Sequence, residues 1–214
     1  MQKKQGPRRK PAVDEAARPA KSARQRILDV AMELFYREGI RAIGIDTVIA
    51  RSGVAKMSLY RSFPSKDDLI VAVLKAFDAI YWARWDKAMA EHPEDPRRQL
   101  SDVIAMLERR IADRRCRGCA FMNAAIEFPD PAHPARAVCR ANKRQLRERL
   151  RHLALRLGAS SPERLADELH LLIEGAYASA HTLAKDGPAP HLRRAAEALV
   201  AAHAAAAVAR EEAG

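Results

Sequence analysis

Apolar side chains recur at intervals of three and four along almost the whole chain beyond Ser22, the pattern of helices that each bury one face. Ser22-x-x-Gln25 reads as a capping-box start, and Ile27, Ala31, Leu34 and Phe35 repeat at helical spacing until Gly39 stops the run. A short segment from Asp46 to Ser52 turns Val48 and Ile49 inward and halts at Gly53. A second short segment spans Lys56 to Phe63. Ser65-x-x-Asp68 then caps a long helix striped by Leu69, Ile70, Val73, Leu74, Phe77, Ile80 and Tyr81.

Asp95-Pro96 opens the next helix, with Leu100, Val103, Ile104, Leu107 and Ile111 on one face. A shorter one covers Cys119–Phe128 and closes at Pro129-Asp130-Pro131. Residues 134–157 carry Val138, Leu146, Leu150, Leu153 and Leu157 and end at Gly158. Ser161-Pro162 places an N-cap before a proline at the first helical position, and that helix is expected to reach Lys185-Asp186-Gly187. An alanine-rich helix over 191–209 is the last. No stretch alternates with β-branched enrichment, so the pattern predicts an all-α chain of nine helices.

Composition narrows the class. In 214 residues, 48% are hydrophobic and 30% charged, the balance of a globular chain with a core rather than a disordered one. No apolar run approaches the roughly 18 residues of a membrane span, so no membrane partner is expected. The first twenty residues lack the apolar stretch of a secretory signal, which points to the cytoplasm. Three cysteines make no disulfide framework.

Charge changes the picture most. The net +11 sits almost entirely in residues 1–66, which hold 15 basic and 6 acidic side chains. Residues 1–21 have seven basic residues, three prolines and no apolar stripe, and are read as a flexible basic arm. Such a concentration of cations makes a polyanion the first partner to consider.

Two short helices joined by a glycine turn behind a longer one describe a helix-turn-helix, here about residues 45–63. Gly53 supplies the left-handed backbone of the turn Ser52-Gly53-Val54-Ala55. Leu59 and Phe63 face inward, leaving Lys56, Met57, Ser58, Tyr60, Arg61 and Ser62 outside, a set rich in phosphate and base-edge contactors.

The run Ile27-Leu28-x-x-Ala31-x-x-Leu34-Phe35-x-x-x-Gly39, followed by Ile49-Ala50-x-x-Gly53-Val54 and Leu59-Tyr60-x-x-Phe63-x-x-Lys66-x-x-Leu69, resembles the DNA-binding domain of TetR-family transcriptional regulators across residues 22–70. The resemblance implies a three-helix DNA-binding domain over 22–68 and a six-helix ligand-binding and dimerisation domain over 69–214. It implies that the Lys56–Phe63 helix enters the major groove of double-stranded DNA, with Lys56, Met57, Ser58 and Arg61 at or near base edges. Tyr60 and Lys66 would hold phosphates, and backbone N–H groups near Asp46 and Thr47 would receive another. Gly44, Met57 and Ser62 depart from the family's usual residues at their positions, and Asp46 puts an acid near the expected phosphate path.

Further expectations concern the body. Leu165, Leu169, Leu172, Ala176 and Leu183 on one helix, with Leu192 and Leu199 on the last, form stripes that suit close helix pairing, and in the family this pair meets its two-fold mate. A homodimer on a near-palindromic operator is therefore expected. Residues with the chemistry for a small-molecule effector pocket are Trp82, Trp85, Phe121, Asn123, Glu127, His170, Glu174 and Tyr177. Of these, Asn123 and Glu127 are costly to bury unless something pairs them.

Cys116-Arg117-Gly118-Cys119, with His133 and Cys139, reads C-x₂-C-x₁₃-H-x₅-C, a spacing superficially suited to zinc. Ordinary thiols, a thiol redox switch and a metal sensor on the same scaffold all remain open at this point. Against metal, the intervening Phe121–Phe128 segment is apolar and Cys139 lies within an amphipathic helix. No P-loop, G-x-G-x-x-G, G-x-S-x-G or H-E-x-x-H is present, so no catalytic residue and no cofactor is expected. The reading is a DNA-binding repressor released by an effector.

Overall fold

A computed structural model of the chain describes residues 21–183 and 186–211. Residues 1–20 of the basic arm expected over 1–21, and Lys185 of the helix end expected at Lys185-Asp186-Gly187, lie outside the described residues. Within them the chain is helical, in the order α1 (Ala23–Glu38), α2 (Ile45–Ser52), α3 (Lys56–Ser62), α4 (Lys66–Ala90) and α5 (Pro96–Ala112). There follow α6 (Ala120–Glu127), α7 (Pro134–Arg156), α8 (Pro162–Leu183) and α9 (Leu192–Glu211), the last preceded by a 3₁₀ turn at Ala189–His191.

The helix boundaries have local causes. Ser22 Oγ accepts from the Gln25 amide, and α1 ends where Gly39 adopts φ 97° and donates its N–H to the Phe35 carbonyl. Ser65 and Asp68 cap α4 reciprocally, satisfying two amides that a helix start leaves open. Asp95 accepts from the amides of Arg97 and Arg98 to start α5, and His133 Nδ1 accepts from Ala135 to start α7. Phe63, expected inside the second short helix, instead follows it in extended backbone.

Two apolar cores result, and α4 threads both. Leu69, Ile70, Val73 and Leu74 from its first half pack with Ile27, Leu34, Phe35, Val48, Leu59 and Phe63 around the helix-turn-helix. Trp82, Trp85 and Ala88 from its second half join Leu107, Leu146, Leu150, Leu165 and Leu169 in the body. The short helix α6 and the start of α7 side with the first core, through Phe121, Ala124, Ala135 and Cys139. The body therefore grips the helix-turn-helix through α6 as well as through α4.

Candidate nucleic-acid interface and effector cavity

Gly53 stands at φ 62°, in the left-handed region, and turns the chain sharply between α2 and α3. Buried Val54, Leu59 and Phe63 then fix α3 against the first core. Lys56, Met57, Tyr60 and Arg61 are left exposed and Ser58 and Ser62 half-buried. Met57 is 79% exposed, an apolar side chain held out in solvent where a thymine methyl could meet it. Ser62 Oγ donates to the Ser58 carbonyl at 2.9 Å, so its proton is committed within the helix.

Asp46, the acid near the expected phosphate path, lies with its Oδ1 3.6 Å from Lys56 Nζ. That pair offsets the acid at the expense of part of the Lys56 charge. Gly44 caps α2 without a side-chain bond, and exposed Thr47 sits in the first turn, where amides lack intrahelical partners. Lys66 is half-buried at the head of α4. Burial holds its ammonium below the ordinary value, while Glu127 and Asp67 pull the other way.

A cavity of about 1180 Å³ opens between α1, α4, α5 and the α6–α8 layer. Phe77, Leu107, Phe121, Leu146, Ile173 and Tyr177 line it with apolar surface. Among the polar groups on its wall are Tyr36, Cys119, Asn142, Lys143 and Glu174, and charged residues including Arg84, Lys87 and Arg109 stand at its margin. Lys143 Nζ donates to Glu174 Oε1 at 2.6 Å and to Cys119 Sγ at 3.2 Å. Burial pulls the Lys143 ammonium down, but the negative charges of Cys119 and Glu174 more than reverse this and leave it above its ordinary value.

Of the residues expected in a pocket, Phe121, Glu174 and Tyr177 do line this cavity. Four others do not. Trp85 is 1% exposed in the body core. Trp82 is buried beside it, its indole N–H donating to Asp78 at 2.9 Å and its face covered by Arg149. Asn123 closes the α5–α6 loop by donating to the Arg117 carbonyl. Glu127 accepts from the amides of Ile40 at 3.1 Å and Arg41 at 2.7 Å, fastening the end of α6 to the α1–α2 turn. His170 faces a shallower depression shared with Phe121 and Glu174. Burial holds its imidazole below the ordinary value although Glu174, 3.8 Å away, raises it.

Tyr36 is a cavity residue that the sequence pattern did not single out. It rises from α1, accepts from the Arg117 amide at 2.7 Å and donates to the Gly118 carbonyl at 2.9 Å. Burial pushes its phenol up to about 12, so the hydroxyl keeps its proton as a donor. Glu127 and Tyr36 are thus two polar ties between the DNA-binding helices and the body.

Most of the leucine stripe expected at a dimer interface packs inside the protomer. Leu165 and Leu169 are 0% exposed and Leu192 2% exposed, already spent on the protomer's own core, and Ala176 is buried as well. Leu172 and Leu199 are half-buried against that core, leaving Leu183 alone of the set in solvent. The outward stripe of α8 is instead Leu171, Gly175, Ala178 and Thr182, all exposed.

The zinc spacing also dissolves in three dimensions. His133 caps α7 and stacks on Phe128, Cys139 is buried, and among the described residues no group of three or more metal-ligating side chains gathers. None of the described helices is long and apolar enough to cross a membrane.

A solvent-facing recognition helix set by a glycine turn on a three-helix core, joined to a helical body with a cavity, defines a helix-turn-helix DNA-binding regulator. Residues 27–73 match the model of the bacterial regulatory proteins, tetR family. SCO4454, a TetR-family transcriptional regulator from Streptomyces coelicolor, is 30% identical, with a TM-score of 0.80 over 85% of this chain and 95% of that one. The sav143 protein of Streptomyces avermitilis is 35% identical, with a TM-score of 0.72 over 84% of this chain and 98% of its own. The HTH-type transcriptional regulator YjdC of Escherichia coli is 23% identical over 76% of this chain and 92% of that protein. The chain belongs to the TetR family of transcriptional regulators. It is a DNA-binding regulator and not an enzyme.

Proposed function

We propose that the chain is a repressor that binds a near-palindromic operator as a homodimer and leaves it when a small molecule fills the cavity. The observation that carries this reading is the shared helix. The start of α6 lines the cavity through Cys119, Ala120 and Phe121, while its last residue, Glu127, holds the α1–α2 turn. A ligand that moves α6 therefore acts on the element that orients the helix-turn-helix. Effector and operator then weaken one another by the same factor, provided the effector binds the two arrangements with different affinity.

DNA contact falls to Thr47, Lys56, Met57, Ser58, Tyr60, Arg61, Ser62 and Lys66, with Ser62 acting through its acceptor lone pairs. For the dimer, the exposed Leu171–Gly175–Ala178–Thr182 stripe with Ala198 and Ala202 of α9 offers the small-residue face that lets helices approach closely. Two recognition helices related by a two-fold axis would sit one DNA turn apart, about 34–36 Å. Of the thiol and metal alternatives, the Lys143–Cys119 contact favours thiol chemistry, and nothing favours metal. Selection of bound duplexes from random sequence tests the reading: an enriched inverted repeat supports it, and enrichment of no sequence refutes it.

A further inference from the structure

Reversible effector binding makes no use of a nucleophile, yet the cavity contains one. Cys119 is half-buried at the N-cap of α6, and its side chain makes no capping bond, so the sulfur is free to face the cavity it lines. The Lys143 ammonium lies 3.2 Å from that sulfur, fixed from behind by Glu174 at 2.6 Å. Tyr81 lines the same cavity, and its enclosed hydroxyl has no hydrogen-bond partner. Burial holds the Tyr81 phenol far above its ordinary value, and the charges of Cys119 and Glu174 push it the same way. It is therefore a donor that keeps its proton and lacks an acceptor, a costly arrangement unless a ligand supplies one.

We propose that the effector is an electrophilic carbonyl compound, an α,β-unsaturated aldehyde or ketone, captured covalently by Cys119. The proposal rests on the reading of this cavity as the effector site. The Cys119 sulfur, with the Lys143 ammonium 3.2 Å away, gives up its proton to solvent and adds as thiolate to the β-carbon. As the carbon–sulfur bond forms, the C=C π pair moves onto the carbonyl oxygen, where the Tyr81 hydroxyl donates to the growing enolate. The α-carbon then takes a proton from Lys143, which recovers one from solvent. One thiolate, one ammonium and one enone become a thioether, a neutral amine and a saturated ketone, and no oxidant or reductant is consumed. Phe77, Phe121 and Tyr177 offer the apolar body of such a compound its wall.

The other thiols lack this setting. Cys139 is buried, and burial pushes its thiol up to about 11. Cys116 does not line the cavity, and its sulfur lies 3.8 Å from the Tyr36 hydroxyl. The adduct would also be well placed to signal, because α6 is eight residues long, about 12 Å, from the Cys119 cap to the Glu127 clamp.

The test treats the full chain with 2-cyclohexen-1-one and follows labelling by peptide mass spectrometry. The first equivalent should fall on Cys119. Lys143→Met should slow its labelling roughly tenfold or more, with Tyr81→Phe slowing it several-fold. Methyl methanethiosulfonate, which reacts without a carbonyl oxygen to stabilise, should label Cys119 as fast in Tyr81→Phe as in the parent. Labelling spread equally over Cys116 and Cys119, or unaffected by either substitution in variants that melt as the parent does, would overturn the proposal. Labelled protein should also release a selected duplex while treated Cys119→Ser holds it; retention of the duplex by fully labelled protein equally overturns it. Failure of the unlabelled chain to select any duplex would count against the regulator reading instead, since the labelling chemistry is measured without DNA.

Discussion

Glu127→Ala removes the clamp between α6 and the α1–α2 turn, and the structure sets the size of the effect. The carboxylate accepts from two amides, Ile40 at 3.1 Å and Arg41 at 2.7 Å. Ile40 is 5% exposed, so water cannot readily replace its lost acceptor, whereas the exposed Arg41 amide can be rehydrated. The cost is then dominated by one enclosed donor bonded to a charged group, about 2 kcal/mol, or ~30-fold in the local opening equilibrium. Hydrogen exchange by mass spectrometry with residue-level fragmentation should show the Ile40 and Arg41 amides losing protection by about that factor, while α8 amides stay unchanged. For a chain of this size the melting temperature should fall by about 4–8 °C. Glu127→Gln keeps one acceptor oxygen without the charge and should lie between the two. Unchanged exchange at both amides, with a melting temperature within about 1 °C of the parent, would refute the clamp and the coupling route built on it.

Two other predictions follow from particular positions. Gly53→Ala places a Cβ where nothing lies within 4 Å, so any loss comes from the φ of 62° alone; denaturant unfolding should report a cost of about 1–2 kcal/mol. Leu171→Glu touches no core residue, since the side chain is 74% exposed, and should leave the helical content unchanged while sedimentation at micromolar concentration shifts from dimer to monomer.

The helix order and the recognition helix were legible because both rest on local signals. The Ser65–Asp68 box, the glycine stops at Gly39 and Gly53, and the i, i+4 pair Leu59–Phe63 act within one or two turns. The cavity was only partly legible, because its composition depends on which face of α4 meets which neighbour. Trp82 and Trp85 have pocket chemistry, but the second core took them. Tyr36 and Lys143 gave no periodic signal that distinguishes a cavity wall from a solvated face. For a related reason the strongest apolar periodicity on α8 marks the protomer's own core. A surface of Leu171, Gly175 and Ala178 is too small and mixed to stand out in sequence. Glu127 was singled out as costly to bury, but its partners proved to be backbone amides 86 and 87 residues away, which no side-chain pattern records.

A comparison of two arginine variants on two duplexes decides whether α3 reads DNA. Binding of the parent, Arg61→Ala and the charge-matched control Arg144→Ala would be measured on a selected duplex and on a scrambled duplex at several salt concentrations. Arg144 is an exposed cation on α7, remote in sequence from the helix-turn-helix. Arg61→Ala should lose about 1–3 kcal/mol on the selected duplex and much of its preference over the scrambled one, while Arg144→Ala binds as the parent does. Equal losses for the two variants, or none for Arg61→Ala, would contradict that role for α3.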